Sequence, residues 1–369
     1  MPPAPRASRS SRARLASRRL QCRPVKLSTT IGFDGDPDKL ARRARDLEAA
    51  GVDLIWSGEI YGYDLASVLA FLAGQTERVE LMSGIFPVYS RSPALLAQTA
   101  AGIDALSSGR FVLGIGTSGP QVIEGWHGVP FTKPLERTRD TIEICRKVWR
   151  GEKVVHDGAA YPLPLPEDQG TGLGKPLKFM GRPLRADIPV VVAAIGPKNV
   201  ALTAELADGW QPIHFVPDRF RTVWGDALDE GRAKRDPALG PLQIIAGGKV
   251  ALGEGPHVDA VREEARAGIG FYVGGMGAKS KNFYNDLFKR YGWEEEAERI
   301  QDLFLAGHRQ EAFAAVPDEY LDLTVLSGDE GRVRERLQVF EEVGVTHFNL
   351  EPVGEDVLGT IEKVKAWIE

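Results

Sequence analysis

Two hydrophobic rhythms take turns along this chain. The run VKLSTTIGF alternates apolar and polar residues and is rich in β-branched side chains, which predicts a strand. From Pro37 to Ala50 the period becomes helical, with Leu40, Ala44, Leu47 and Ala50 on one face and Gly51 as the stop. VDLIWS predicts a second strand, Leu65 to Gly74 a short helix, and VELMSGI a third strand. Ser92-Pro93 then supplies an N-cap and a first-turn proline for a helix with Leu96, Thr99, Ile103 and Leu106 on one face. FVLGIG predicts a fourth strand, and Leu135 to Arg150 a helix with Ile142, Cys145, Val148 and Trp149 apolar.

Residues 151 to 187 break the rhythm. They are rich in Pro and Gly and lack a helical period, which predicts an inserted hairpin or long loop over an active face. The alternation then resumes. IPVVVAAI, GWQPIHF, LQIIAGGKVAL and THFNLEP predict strands five to eight. Helices are expected over Pro197 to Ala207, Asp218 to Arg235, Val258 to Ala267, Gly331 to Val343 and Glu355 to Glu369, with a charged helical stretch over 280 to 322. Strands alternating with helices imply a parallel sheet. Eight such units favour a closed (β/α)8 TIM barrel over an open doubly wound sheet, and barrel function lies in the loops after the strands. The expected organisation is an extension over 1–24 and one domain over 25–369, with an insertion at 151–187 and a helical excursion at 275–325.

The stretch RFVLGIGTSGPQ complicates that picture, because Gly114, Gly116 and Gly119 fit G-x-G-x-x-G after an apolar run. A dinucleotide-binding turn sits at the first strand of its unit, opens directly into a helix, and has an acid about twenty residues on at a strand end. Here three βα units come first, Pro120, Gly125 and Gly128 interrupt any long helix, and Asp140 falls inside a helix. The pattern therefore reads as a fourth-strand loop, with glycines that either admit a flat ligand to the backbone or form a tight turn.

Composition narrows the partners. A net charge of -5 and pI near 5.8 point away from nucleic acid and anionic membranes. No apolar run approaches a membrane span. Cys22 and Cys145 give neither a disulfide framework nor a metal spacing, and His156, His257, His308 and His347 form no ligand set, so a metal-free protein of the reducing cytoplasm is expected. The first 24 residues hold seven arginines and no acid. Arg18-Arg19 lacks the apolar stretch of a twin-arginine signal, so the segment reads as a disordered extension.

The loops that would meet at the barrel mouth carry candidate chemistry. SGEIYGYD brings Glu59, Tyr61 and Tyr63; Glu59 reads either as a ligand contact or as a salt-bridged rim residue. AAIGPKN leads small residues into a helix start, where backbone N–H groups bind phosphate, with Lys198 adding charge. Trp210 and His214 follow strand six, and Trp210 reads equally as packing. Small residues, a helix N-terminus and aromatics together describe a pocket for a planar phosphorylated ligand.

Five segments in order, GVDLIWSGE, TERVELMSGIFPVYSRSP, DALSSGRFVLGIGTSGPQVIEGWHGVPF, IPVVVAAIGPKN and LADGWQPI, resemble the luciferase-like monooxygenase superfamily in its coenzyme F-420-dependent branch. GGKVAL and FYVGGMGAKSKNFYNDLFKRYG are similar to an actinobacterial subgroup of it. The resemblance implies a non-proline cis peptide at Gly84-Ile85 pressing on a tricyclic ring, with Ser83 and Glu59 at the ring edge. It also implies Thr117 and Ser118 near the cofactor tail, and Ala194, Gly196 and Pro197, with Lys198 nearby, at its phosphate. Among the remaining polar residues, Tyr61 or His127 would donate a proton and Arg91 would grip an anionic or carbonyl group.

Two departures matter. The family's sugar-phosphate dehydrogenases carry an acid followed by His after strand two, where this chain has Glu59-Ile60, and a Glu in the strand-four loop, where it has Thr117. Both speak against a sugar-phosphate substrate. The expected protein is an oxidoreductase, a homodimer by superfamily habit, passing hydride between F-420 (8-hydroxy-5-deazaflavin) and a small-molecule substrate. The alternatives are an FMN-dependent monooxygenase and a non-catalytic flavin or deazaflavin binder.

Overall fold

The computed structural model describes residues 25–277 and 279–369; the arginine-rich extension and Cys22 lie outside the described residues. The chain opens with β1 (Lys26–Thr30), α1 (Pro37–Ala49), β2 (Leu54–Ser57), α2 (Leu65–Ala73), β3 (Glu80–Ser83) and the two-residue β4 (Phe86–Pro87). Next come α3 (Pro93–Leu106), β5 (Phe111–Gly116), α4 (Pro120–Gly125), α5 (Pro134–Trp149), β6 (Val190–Ala193), α6 (Pro197–Leu206), β7 (Gly209–Trp210) and α7 (Phe220–Lys234). The chain closes with β8 (Gln243–Leu252), α8 (Pro256–Gly275), α9 (Phe283–Arg290), α10 (Glu294–Leu305), α11 (Arg309–Ala314), α12 (Asp318–Thr324), β9 (Leu326–Gly328), α13 (Glu330–Glu342), β10 (His347–Pro352) and α14 (Val357–Ile368).

Eight strands pair in parallel in the order β10-β1-β2-β3-β5-β6-β7-β8, and β8 returns to β10, so the barrel closes. The (β/α)8 architecture expected from the alternation is the one observed. Closure follows from burial on both strand faces: a parallel sheet must be covered inside and out. Inside, Leu54, Met82, Val112, Val191 and Ile245 form a separate apolar cluster with Trp56 packed on it. Outside, a much larger cluster joins the strands to the helices.

The local start signals work as expected. Asp36, Asp64 and Ser92 cap α1, α2 and α3 by accepting backbone N–H groups, and proline stands in the first turn of α1 and α3. Three differences from the sequence reading have physical causes. The sixth strand shrinks to Gly209–Trp210, because Pro212 has no N–H to continue the ladder and His214 adopts a positive φ. The helix expected to end at Ala267 runs to Gly275. Its later glycines are packing notches rather than a stop: a Cβ on Gly270 would stand 2.5 Å from Phe313 Cδ1, and one on Gly275 2.4 Å from Phe304 Cε1. Finally, β8 outgrows the barrel, and its last three residues pair with the extra strand β9.

The insertion does not roof the mouth. It climbs the outer flank of α5, where Asp140 accepts the N–H groups of Ala160 and Tyr161. Its tip touches the rim through the Tyr161 hydroxyl, which donates to the Val88 carbonyl at 2.9 Å. It returns to the barrel base, where Arg185 pairs with the fully buried Asp104.

Candidate functional site

A cavity of about 430 Å³ opens at the C-terminal ends of the strands. Its floor is Trp56, standing on the inner apolar layer; the indole Nε1–H donates to Asn349 Oδ1 at 2.7 Å, which fixes the ring. Gly84 makes room for that indole, since a Cβ there would lie 2.4 Å from Trp56 Cε3. The Gly84–Ile85 peptide is cis, and both residues line the cavity. The chain leaves β3 through this bond directly beneath the mouth.

Gly114 and Gly116 of β5 make room for the chain that leaves β3. A Cβ on Gly114 would stand 1.7 Å from the Ser83 carbonyl oxygen, and one on Gly116 2.8 Å from Ile85 Cδ1. Ser83 completes the seam: its hydroxyl donates to Gly114 O at 2.8 Å and accepts from Gly114 N at 2.9 Å. Fully buried and doubly bonded, Ser83 is turned from the cavity, which corrects its expected place at a ring edge. Positive φ in this loop falls on Ser118 rather than on a glycine. Thr117 and Ser118 are half-buried and lie outside the cavity lining.

Glu59 and Arg91 meet each other. Arg91 Nη1 and Nη2 reach the two Glu59 oxygens at 2.6 and 2.9 Å, Nη2 also reaches Asp64 Oδ1 at 2.5 Å, and the guanidinium lies over the Phe86 ring at 4.4 Å. Burial opposes the Arg91 charge, but Glu59 and Asp64 overcome it and hold its pKa above the ordinary value. The two Nη groups of the fork are thus taken up within the rim, which leaves the substrate grip expected of Arg91 only its Nε–H. For Glu59 the salt-bridged reading is the one observed.

Tyr61 is 67% exposed and stands on the lip, its ring centroid 6.4 Å from that of Trp126. His127 ends up half-buried beyond α4, outside the cavity lining, with Nε2 sealed and unbonded. Ala194 is buried, and its carbonyl accepts the Trp210 Nε1–H at 3.0 Å; Trp210 is therefore packing. Gly196 and Pro197 are exposed at the start of α6, whose first turn has no side-chain cap. Lys198 faces an outer cleft of about 470 Å³ between α5, α6 and α7. That cleft is walled by ions already paired, Arg139 with Glu205 and Lys234 with Glu230, and lacks the apolar floor of the mouth.

Two lining residues, Lys249 and Tyr272, were not singled out from the sequence, whereas His214 was. Lys249 of β8 reaches Glu264 at 2.6 Å and Glu351 of β10 at 3.5 Å. Tyr272 of α8 lines the opposite wall; burial, then Glu351 and Tyr61, raise its phenol pKa. The His214 ring packs edge-on against Tyr272 and Tyr284, at 5.0 and 5.8 Å, and burial lowers its pKa to about 4, so it is neutral near pH 7. The visible signal for this wall was the aromatic-rich FYVGG together with GGKVAL, but which faces turn inward depends on α8 continuing past its glycines. An apolar floor with a few polar groups on one wall suits a flat, largely apolar ligand. Among the described residues no cluster could hold a metal ion, and no helix is long and apolar enough to cross a membrane.

The model of the luciferase-like monooxygenase family matches residues 19–347. The chain belongs to that family. A Mycobacterium tuberculosis protein provisionally named a coenzyme F-420-dependent oxidoreductase is 40% identical to this luciferase-like protein over 331 residues, 87% of this chain and 93% of the relative. The 5,10-methylenetetrahydromethanopterin reductase of Archaeoglobus fulgidus is 30% identical over 325 residues, 86% of this chain and 90% of its own. Among solved structures, the F-420-dependent tetrahydromethanopterin reductase of Methanopyrus kandleri superposes with a TM-score of 0.73 at 22% identity, covering 93% of this chain and 98% of that one. An F-420-dependent secondary alcohol dehydrogenase bound to an F-420-acetone adduct gives 0.70 at 16% identity, covering 94% and 100%. At these identities the two structures establish the shared fold.

Proposed function

We propose that this luciferase-like protein is an F-420-dependent oxidoreductase that passes hydride between deazaflavin C5 and a small substrate bearing C=C, C=O or C=N. The observation that carries the reading is the mouth cavity itself, where Trp56, Gly84 and Ile85 present a flat apolar surface and a few polar groups stand on the wall. The names of its relatives support the cofactor. F-420 supplies a two-electron hydride carrier that reacts poorly with oxygen, because carbon replaces the reactive flavin nitrogen.

The residues present fit such a group. Ile85 and Gly84 would back the ring, Ala193 would border it, and Trp56, held by Asn349, keeps the surface beneath it rigid and dry. The uncapped first turn of α6, with Gly196 offering no side chain, would take the phosphate on backbone N–H groups. Thr117 and Ser118 would border the tail from the rim. Burying the substrate between this floor and the α8 wall would exclude water and fix its reacting atom.

FMN is the rival cofactor, since a structural neighbour at TM-score 0.60 is an FMN-bound monooxygenase. Titration of the purified protein with F-420 and with FMN, followed by ligand fluorescence, separates the two. F-420 binding with FMN excluded is expected; tight FMN binding without F-420 binding overturns the proposal. F-420 binding with no hydride exchange across a panel of ketones and enones would leave a binding protein instead. We also propose a homodimer, for which light scattering at twice the 40.3 kDa chain mass is the expected result.

A further inference from the structure

We propose that the Tyr272 hydroxyl is the proton donor of the mouth, bonding to the oxygen of a carbonyl substrate; this deepens, and rests on, the hydride-transfer reading above. The cavity wall offers few free donors. Lys249 is held by two carboxylates, and Thr324 Oγ1 donates to the Tyr320 carbonyl at 2.7 Å; the Asn349 and Gln211 amides can donate hydrogen bonds but are far too weak as acids to give up a proton, and His214 is neutral with its Nε2 sealed from solvent. Tyr320 is itself packed among Phe288 and Trp293. Arg91 is locked to Glu59 and Asp64, Tyr61 stands out on the lip, and His127 lies outside the cavity.

Tyr272 is different. It lines the cavity, and its hydroxyl makes no hydrogen bond to any of the described residues. Its ring is held edge-on by His214 at 5.0 Å and Tyr284 at 4.8 Å, so the phenol is positioned without its oxygen being used. Position without a partner is what a substrate-facing donor requires.

The electrostatic surroundings keep it protonated. The titratable groups around it are Glu351 and Lys249 from the barrel strands, His214 after β7, Tyr284 of α9 and Tyr61 of the lip. Burial first, then Glu351 and Tyr61, raise the phenol pKa, and neutral His214 adds no charge. As the carbonyl carbon accepts hydride from the reduced cofactor, the C=O π pair moves onto oxygen. The Tyr272 O–H bond then breaks, its proton goes to that oxygen to give the alcohol, and the phenolate is reprotonated from solvent. The transfer runs downhill because an alkoxide is more basic than a phenolate.

The test uses Tyr272→Phe, which removes no bond from the folded chain. Calorimetry on the full protein loaded with F-420 measures binding of isobutyramide, a carbonyl acceptor that hydride does not reduce. The expected result is unchanged F-420 affinity, isobutyramide binding weakened three- to tenfold, and an affinity that falls at alkaline pH in the wild-type protein but not in the variant. Reduction of cyclohexanone to cyclohexanol should drop by about a hundredfold, in kcat more than in KM. Equal isobutyramide affinity in both proteins, or none in either, with F-420 still bound, overturns the assignment to Tyr272. Failure of the wild-type protein to bind F-420 overturns the cofactor reading, and this role with it.

Discussion

Arg91 and Glu59 face each other across the rim with both nitrogen–oxygen contacts formed, at 2.6 and 2.9 Å, and each side chain about nine-tenths hidden from solvent. A hidden pair of this kind is costly to break from one side, because the remaining charge stays desolvated. Glu59→Gln should therefore lower stability by about 3 kcal/mol. The double variant Glu59→Leu, Arg91→Leu should recover part of that loss, with Asp64 released to solvent. A calorimetric melt of Glu59→Leu, Arg91→Leu and the double variant checks the coupling; strict additivity would refute it.

Gly114 and Gly116 should respond differently to alanine. At Gly114 the new Cβ meets a backbone carbonyl at 1.7 Å, which cannot move without parting β3 from β5. At Gly116 it meets the end of the Ile85 side chain at 2.8 Å, which can rotate. Gly114→Ala is expected to cost more than 3 kcal/mol or to prevent folding, and Gly116→Ala about 1 kcal/mol. Urea denaturation distinguishes them.

Acid should loosen the fold through two histidines. Burial lowers the pKa of His214 to about 4, and burial with Lys26 lowers that of His347 to about 4, against a reference near 6.5. Between those values the unfolded chain binds more protons than the folded one, so stability rises with pH there. The contribution is complete above about pH 6.5 and is lost as pH falls towards 4, by roughly 3 kcal/mol per histidine at most. His214→Asn, an exchange that suits its positive φ, should reduce the slope of stability against pH in that window. Chemical melts at half-unit pH steps measure it.

Asn349 should matter to ligand binding through Trp56. With Asn349→Ala the indole N–H loses its acceptor at 2.7 Å, and the cavity floor is free to tilt. F-420 affinity is expected to fall three- to tenfold with little change in melting temperature, as read by fluorescence titration.

Much of the architecture was legible before folding was considered. Eight switches between period two and the helical period implied eight βα units, and Asp36, Asp64 and Ser92 begin helices where local capping chemistry puts them. These signals are short-range: each depends on residues within one turn or one strand. The cis bond at Gly84–Ile85 was legible in another way, through family resemblance across several segments.

The site was less legible, because a side chain's role depends on what it meets. Nothing near Arg91 in sequence says that Glu59, 32 residues earlier, will occupy its fork. Lys198 was expected at the mouth and faces the outer cleft, since the turn of α6 carries its side chain outward. Tyr272 escaped notice because the glycines after Ala267 read as an end to the helix, and only the packing of Phe304 and Phe313 into those notches keeps α8 going past it.

The sequence alone thus determined the barrel through its alternation of strands and helices, because periodicity and capping are local properties repeated many times, and it pointed to the family through the resemblance of several segments. Tertiary structure decided which polar groups remain free. Closing the barrel spends Ser83 on Gly114, Arg91 on Glu59 and Asn349 on Trp56, and leaves Tyr272 with an unbonded hydroxyl on the cavity wall. Hydrogen bonds between residues far apart in sequence form only when the strands that carry them have already met.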